Sequence, residues 1–143
     1  MPIDRRYIGF RLQPFTVMVK AEQLRRFGEA IGIGGPSIDY SMAPPTYMKV
    51  IEGEGNSSRA IVSALQIDLR RILHVEQEFE YGVPIRVGDR VTVERAVTDI
   101  YAKKGGALEF LVVESTLHNG DGALAGRSRQ TILVRSEQQG ASA

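Results

Sequence analysis

The chain has 143 residues, no cysteine and a formal net charge of +1, with a pI near 8.1. These values exclude a disulfide framework, a thiolate metal site and a cysteine nucleophile, and they give no electrostatic push toward nucleic acid. A hydrophobic content of 43% suffices for one core, and no apolar run reaches the length of a membrane span.

The expectation is one soluble, cytoplasmic domain over residues 1–135, followed by a small polar, disordered tail at residues 136–143. The N-terminus lacks the apolar segment of a signal peptide. Residues 1–11 form a leading arm of mixed charge. Residues 14–20, apolar and β-branched, predict a strand. Residues 21–31 put Leu24, Phe27 and Ile31 on one helical stripe, and Gly32 follows where a left-handed C-cap is expected. Residues 33–45 hold Gly34-Gly35-Pro36 and Pro44-Pro45, which no regular element accommodates. Loops this long in small domains are often functional. Residues 46–51 read as a short strand or an extended entry, and residues 52–55 as a flexible turn. Asn56 is placed to cap a helix over residues 57–65. That helix is apolar nearly all round, which predicts a buried helix rather than a surface one.

The rest reads as sheet. In LHVEQEFEY, residues 73–81, Val75, Gln77, Phe79 and Tyr81 fall on one face, and Glu76, Glu78 and Glu80 on the other. Three more strands follow at residues 89–103, 107–118 and 123–135, with tight-turn signals at Lys103-Lys104-Gly105-Gly106 and Asn119-Gly120-Asp121-Gly122. Within residues 107–117, Leu108, Phe110 and Val112 share one face, and Leu111, Val113 and Leu117 the opposite one. A sheet solvated on one side does not show this pattern. A helix covers one face; a partner subunit is the simplest cover for the second.

Specific wording now points to a family. Leu73-His74, then Glu76-Gln77-Glu78-Phe79-Glu80-Tyr81, Pro84, Gly88-Asp89 and Val93 resembles the core of the MaoC-like hydratase/dehydratase superfamily. Ala43-Pro44-Pro45-Thr46, Ala30-Ile31-Gly32 and Ser128-Arg129-Gln130-Thr131 resemble the same family, most of all its N-terminal or accessory, non-catalytic dehydratase domains. The resemblance implies an α+β hot-dog fold, a curled antiparallel sheet wrapped around one central helix. It implies hydration of trans-2-enoyl thioesters of coenzyme A or acyl carrier protein to (R)-3-hydroxyacyl products, or the reverse dehydration, with no cofactor. That chemistry takes a carboxylate and a histidine as base and acid, and N–H donors for the enolate oxygen. Active members carry the dyad in a D-x-N-P-x-H run. Here the run is Ile33-Gly34-Gly35-Pro36-Ser37-Ile38, so Ile33 and Ile38 stand where the Asp and the His are expected. Neither isoleucine transfers a proton. The expectation is a subunit without its own dyad, working as a homodimer or as a heteromer with a dyad-bearing hot-dog subunit.

Remaining candidates carry a functional and a bland reading each. Asp39 is one residue past the His slot and is a weak catalytic candidate. His74 opens the first long strand and is either a cleft residue or a structural hydrogen-bonding one; His118 beside a turn reads as surface. Glu76, Glu78 and Glu80 read as cross-strand ion-pair partners of Arg127 or Arg129 rather than as a metal site. Asn56, Ser57 and Ser58 at a helix N-terminus are candidate substrate contacts, with simple capping as the alternative. Arg70, Arg71, Lys103 and Lys104 could meet coenzyme A phosphates or be solvated surface. Two alternative functions stay open: an acyl thioesterase using Asp39 or Asp68, and a non-enzymatic acyl-thioester binding module.

Overall fold

The structure, a computed structural model, describes residues 3–32 and 41–135. Along the chain come β1 (Phe15–Met18), α1 (Ala21–Ala30), α2 (Tyr47–Glu52), α3 (Ser57–Ala64), β2 (Ile72–Tyr81), β3 (Arg90–Lys103), β4 (Leu108–His118) and β5 (Leu124–Arg135). The strands form one antiparallel sheet in the order β1-β3-β4-β5-β2. Its concave face holds α2 and α3, the architecture expected of a hot-dog fold. The four long strands lie within a residue of their expected bounds, because their alternation and turn chemistry are local. In the β4–β5 turn, the Asn119 carboxamide oxygen accepts from the Asp121 and Ala123 amides, each at 3.0 Å. The leading arm extends the β1 edge along β3: the Gly9 amide donates to the Val97 carbonyl, and the Leu12 amide to that of Arg95.

Residues 46–51 are a helix rather than the expected strand. Tyr47, Met48, Ile51 and Glu52, all buried, share one helical face. The β-branched Thr46, Val50 and Ile51 suggested a strand, and the i, i+4 spacing outweighs them. The central helical segment is accordingly two short helices. They meet at a kink where Gly55 (φ 66°) and Asn56 (φ 58°) are left-handed. Asn56 therefore makes no side-chain cap to α3, contrary to expectation. The two faces of α3 also differ more than its composition suggests. Ser57, Ile61 and Val62 are buried, while Arg59, Ala60 and Ser63 are exposed.

The inward positions of the sheet show how the two helices are held. On β3 they are Val91, Val93, Arg95 and Val97; on β4, Leu111, Val113, Ser115 and Leu117. Arg95 lies opposite Ser115, and Ser115 opposite Ser128 on β5, one step from Gln130. A polar belt thus crosses the concave face. On one side of it α2 packs on Val17, Leu24, Val91, Val93 and Leu117. On the opposite side Ile61 and Leu65 pack on Val97, Leu111, Val113, Ile132 and Val134, closed by Ile3 of the arm. Gly126 lets α2 approach the sheet: a Cβ there would lie 2.6 Å from the Met48 sulfur.

Both faces of β4 carry apolar side chains, as expected. On the convex side Val112 is buried within the chain; Leu108 and Phe110 are half-buried, and Phe110 stacks on Tyr101 with centroids 4.9 Å apart. β2 is the long edge strand of the sheet, with a free outer side among the described residues. A bulge between His74 and Glu76 leaves Val75 exposed, while Gln77 and Phe79 turn inward opposite Gln130 and Ser128.

Candidate functional site

The kink between α2 and α3 sits over the polar belt, and its chemistry follows from a broken helix. Ending α2 at Glu52 frees that residue's carbonyl, which must find donors. It accepts from the Ser57 hydroxyl and from the Arg95 guanidinium at 3.2 Å. Arg95, 2% exposed, also donates to Ser115 Oγ (2.8 Å), Ser57 Oγ (2.7 Å), Ser58 Oγ (2.9 Å) and Gln130 Oε1 (2.8 Å). The planar guanidinium can reach five acceptors spread over two helices and two strands because its donors form a rigid fork. Burial pushes the Arg95 pKa down, and the nearby Glu52 charge opposes that shift. It stays protonated at neutral pH.

Glu52 is fully buried. One carboxylate oxygen accepts from Ser128 Oγ. The second, Oε1, lies 3.3 Å from Lys49 Nζ but has no aligned hydrogen-bond donor. The Lys49 ammonium is instead aligned on Gln130 Oε1, at 3.0 Å.

Two cavities of about 200 Å³ each open beside this framework. The first is apolar and runs along Met42–Pro45, Met48 and the Tyr81–Ile85 segment. It brings together two stretches on which the family resemblance rests, Ala43-Pro44-Pro45 and Tyr81 to Pro84. The second is walled by Val62, Leu69, Ile72 and Ile132, with Lys49, Ser58, Gln130 and His74 as its polar lining.

The residues singled out from sequence are placed as follows. Ile33, Ile38 and Asp39 lie outside the described residues. Asn56 is exposed on the kink; Ser57 is buried and Ser58 half-buried, both hydroxyls engaged by Arg95. His74 lines the second cavity, and its Nε2 lies 3.1 Å from the Glu76 carbonyl. His118 ends β4 opposite Leu124. Asp68 is bound by the Arg70 side chain and amide, which hold its carboxyl at about 2, too acidic for a general base at neutral pH. Arg71 reaches the Arg135 carbonyl, and Lys103 lies over the Phe110 ring. Glu80 pairs with Arg127 at 3.7 Å, and Glu78 sits opposite Arg129.

Sequence reasoning missed Lys49, Glu52, Arg95 and Gln130. One signal was available: Arg95 occupies an inward position in the run Val91, Val93, Arg95, Val97, where a buried charge must have partners. Among the described residues, no helix is long and apolar enough to cross a membrane.

Known proteins agree with this architecture. A curated UPF0336 protein of Thermobifida fusca is 29% identical over 149 residues, covering 96% of this chain and 97% of that protein. The structure is similar to that of the C-terminally truncated HadBC (3R-hydroxyacyl-ACP dehydratase) complex from Mycobacterium tuberculosis. The TM-score is 0.68 at 20% identity, over 89% of this chain and 96% of that one. It is also similar to a MaoC-like dehydratase, with a TM-score of 0.70 at 18% identity, over 91% of this chain and 42% of that chain. The fold is thus the hot-dog fold of MaoC-like dehydratases. Residues 6–126 match the FAS1-like dehydratase domain region, and the chain belongs to that family.

Proposed function

We propose that the chain is a subunit of an (R)-specific enoyl-thioester hydratase or 3-hydroxyacyl-thioester dehydratase, and that a dyad-bearing hot-dog partner supplies the acid and the base. The observation that carries this reading is a dehydratase-family chain with Ile33 and Ile38 where the Asp and His belong. Its supporting geometry is the apolar cavity between the Ala43–Pro45 and Tyr81–Ile85 segments, which offers walls for an acyl chain and, among the described residues, no carboxylate or imidazole. The substrate is an acyl thioester of coenzyme A or acyl carrier protein.

The free β2 edge is the surface we assign to the partner, since an unpaired strand of this length is otherwise an aggregation hazard. Its charge pattern favours a heteromer. Twofold antiparallel pairing of β2 with itself, concave face matched to concave face, sets Glu76, Glu78 and Glu80 against the same glutamates. Like charges directly opposite destabilise a strand pair.

The test is a coupled hydration assay with crotonyl-coenzyme A and longer enoyl thioesters, run on the chain alone, the dyad-bearing partner alone and their mixture. The chain alone is expected to be inactive, and the mixture more active than the partner. Robust hydration by the chain alone, abolished by Asp39→Asn or His74→Ala, overturns the reading.

A further inference from the structure

Among the described residues, the second cavity has one more cation around it than carboxylates. Around it are two cations, Arg95 and Lys49, and one carboxylate, Glu52, which leaves one positive charge in excess. Every acceptor that Arg95 uses is neutral: three hydroxyls, a carboxamide and a backbone carbonyl. Glu52 turns to Ser128 and Lys49 instead. Among the described residues, the remaining titratable group on the cavity wall is His74, which adds no negative charge. The two buried charges, Arg95 and Glu52, offset one another, so the surplus falls on Lys49, whose side chain is 37% exposed. Lys49 itself lines this cavity of about 200 Å³, and Ser58 and Gln130 beside it carry the edge of the Arg95 network.

We infer that this cavity is a binding site for a carboxylate carried on a short apolar chain. The carboxylate meets Lys49 and the Ser58–Gln130 edge of the Arg95 network; the chain lies along Val62, Leu69, Ile72 and Ile132. Size and lining set the class. At roughly 30 Å³ for each water-sized group, the volume takes about seven such groups. One surplus charge matches a monoanion. Apolar walls opposite a single cationic end suit an alkanoate better than a phosphate, which would ask for donors on every side.

Two sources share this chemistry: a free short alkanoate, or the distal carboxylate of a dicarboxylic acyl thioester. The site itself does not depend on the dehydratase reading. If the thioester source holds, it names the substrate class for that reading.

The experiment is calorimetric titration of the full chain with pentanoate and with its neutral isostere pentanamide, then with glutaryl-coenzyme A and pentanoyl-coenzyme A. Pentanoate is expected to bind at least tenfold more tightly than pentanamide. Gln130→Glu, a nearly isosteric change, places a carboxylate between Arg95 and Lys49. It is expected to raise the Tm and to weaken pentanoate binding at least tenfold, so lost binding cannot be ascribed to an unfolded variant. A preference for glutaryl- over pentanoyl-coenzyme A assigns the site to an acyl substrate. Pentanoate binding without that preference assigns it to a free acid. Equal binding of pentanoate and pentanamide, no binding of either carboxylate, or full pentanoate affinity in Gln130→Glu overturns the proposal. Hydration activity in the reconstituted mixture is a separate readout, so loss of this site leaves the dehydratase reading standing, and the reverse also holds.

Discussion

The two apolar halves of the concave face and the polar belt between them are both largely buried, Ser58 excepted, but hold the fold together differently. In the halves, Val93 and Leu117 beneath α2, or Val97, Leu111 and Val113 beneath α3, contribute through area removed from water, about 25 cal/mol per Å². Such contributions are non-directional, and swaps that conserve volume are tolerated. In the belt, Arg95, Ser57, Ser58, Ser115, Gln130 and Glu52 satisfy one another through named donors and acceptors. There the loss of one partner strands several others. The belt also explains why the central helix is two pieces: the kink places the Glu52 carbonyl where Arg95 and Ser57 can reach it.

The contrast can be broken most severely from the apolar side. Ile61, 1% exposed, is packed in the apolar α3 cluster with Leu65, Val97 and Leu111. Ile61→Asp buries an unpaired charge at a cost of several kcal/mol, comparable with the whole stability of a small domain. The expected outcome is loss of the cooperative urea transition at neutral pH; a wild-type-like midpoint would show that α3 does not pack on the sheet. Arg95→Met comes next. It removes five hydrogen bonds and leaves Glu52 buried with Lys49 alone. About 3–5 kcal/mol is expected from urea unfolding, the range for breaking a buried pair from one side. A cost below about 1 kcal/mol would mean that the belt is a passenger of the apolar halves. Gly126→Ala follows: the methyl would lie 2.6 Å from the Met48 sulfur, which can give, and 2.9 Å from the Glu80 carbonyl oxygen, which gives only if β2 shifts, so a cost of about 1–3 kcal/mol, typical of overpacking, is expected from urea unfolding.

The same contrast accounts for what was legible in the sequence. The strands and α1 were legible because period, turn residues and the Gly32 cap are local signals. The sheet's two-faced strand was legible because both parities of residues 107–117 are apolar. The belt was not, because its members lie far apart in sequence and only the register brings Arg95 opposite Ser115 and Ser128. The α2 helix was missed because its six residues mix β-branched and long side chains. The kink escaped notice because Asn56 before two serines imitates a capped helix start. The proposed lack of a dyad rests on the family motif alone, since Ile33 and Ile38 carry no physical signature of a vacated dyad.

The smallest effect sharpens the comparison from outside the core, at a charge pair that is exposed rather than buried. Asp68 accepts from the Arg70 amide and guanidinium at the turn leading into β2. The Arg70 side-chain hydrogen bond, then its amide, lower the Asp68 pKa from 3.8 to about 2. A carboxylate whose folded-state pKa is depressed stabilises the fold above its unfolded pKa, and that contribution is lost as pH falls through the folded value. The urea midpoint of the wild type should therefore exceed that of Asp68→Asn by a constant amount above about pH 5. The gap should close between pH 3.8 and pH 2, the span of the shift. It should also shrink in 1 M salt, where the screening length falls to about 3 Å. The Arg95→Met deficit, set by hydrogen bonds inside the sheet, should persist in the same salt. If both deficits respond to salt alike, the belt is wetter than its burial implies, and Arg95 belongs with the surface arginines rather than with the core.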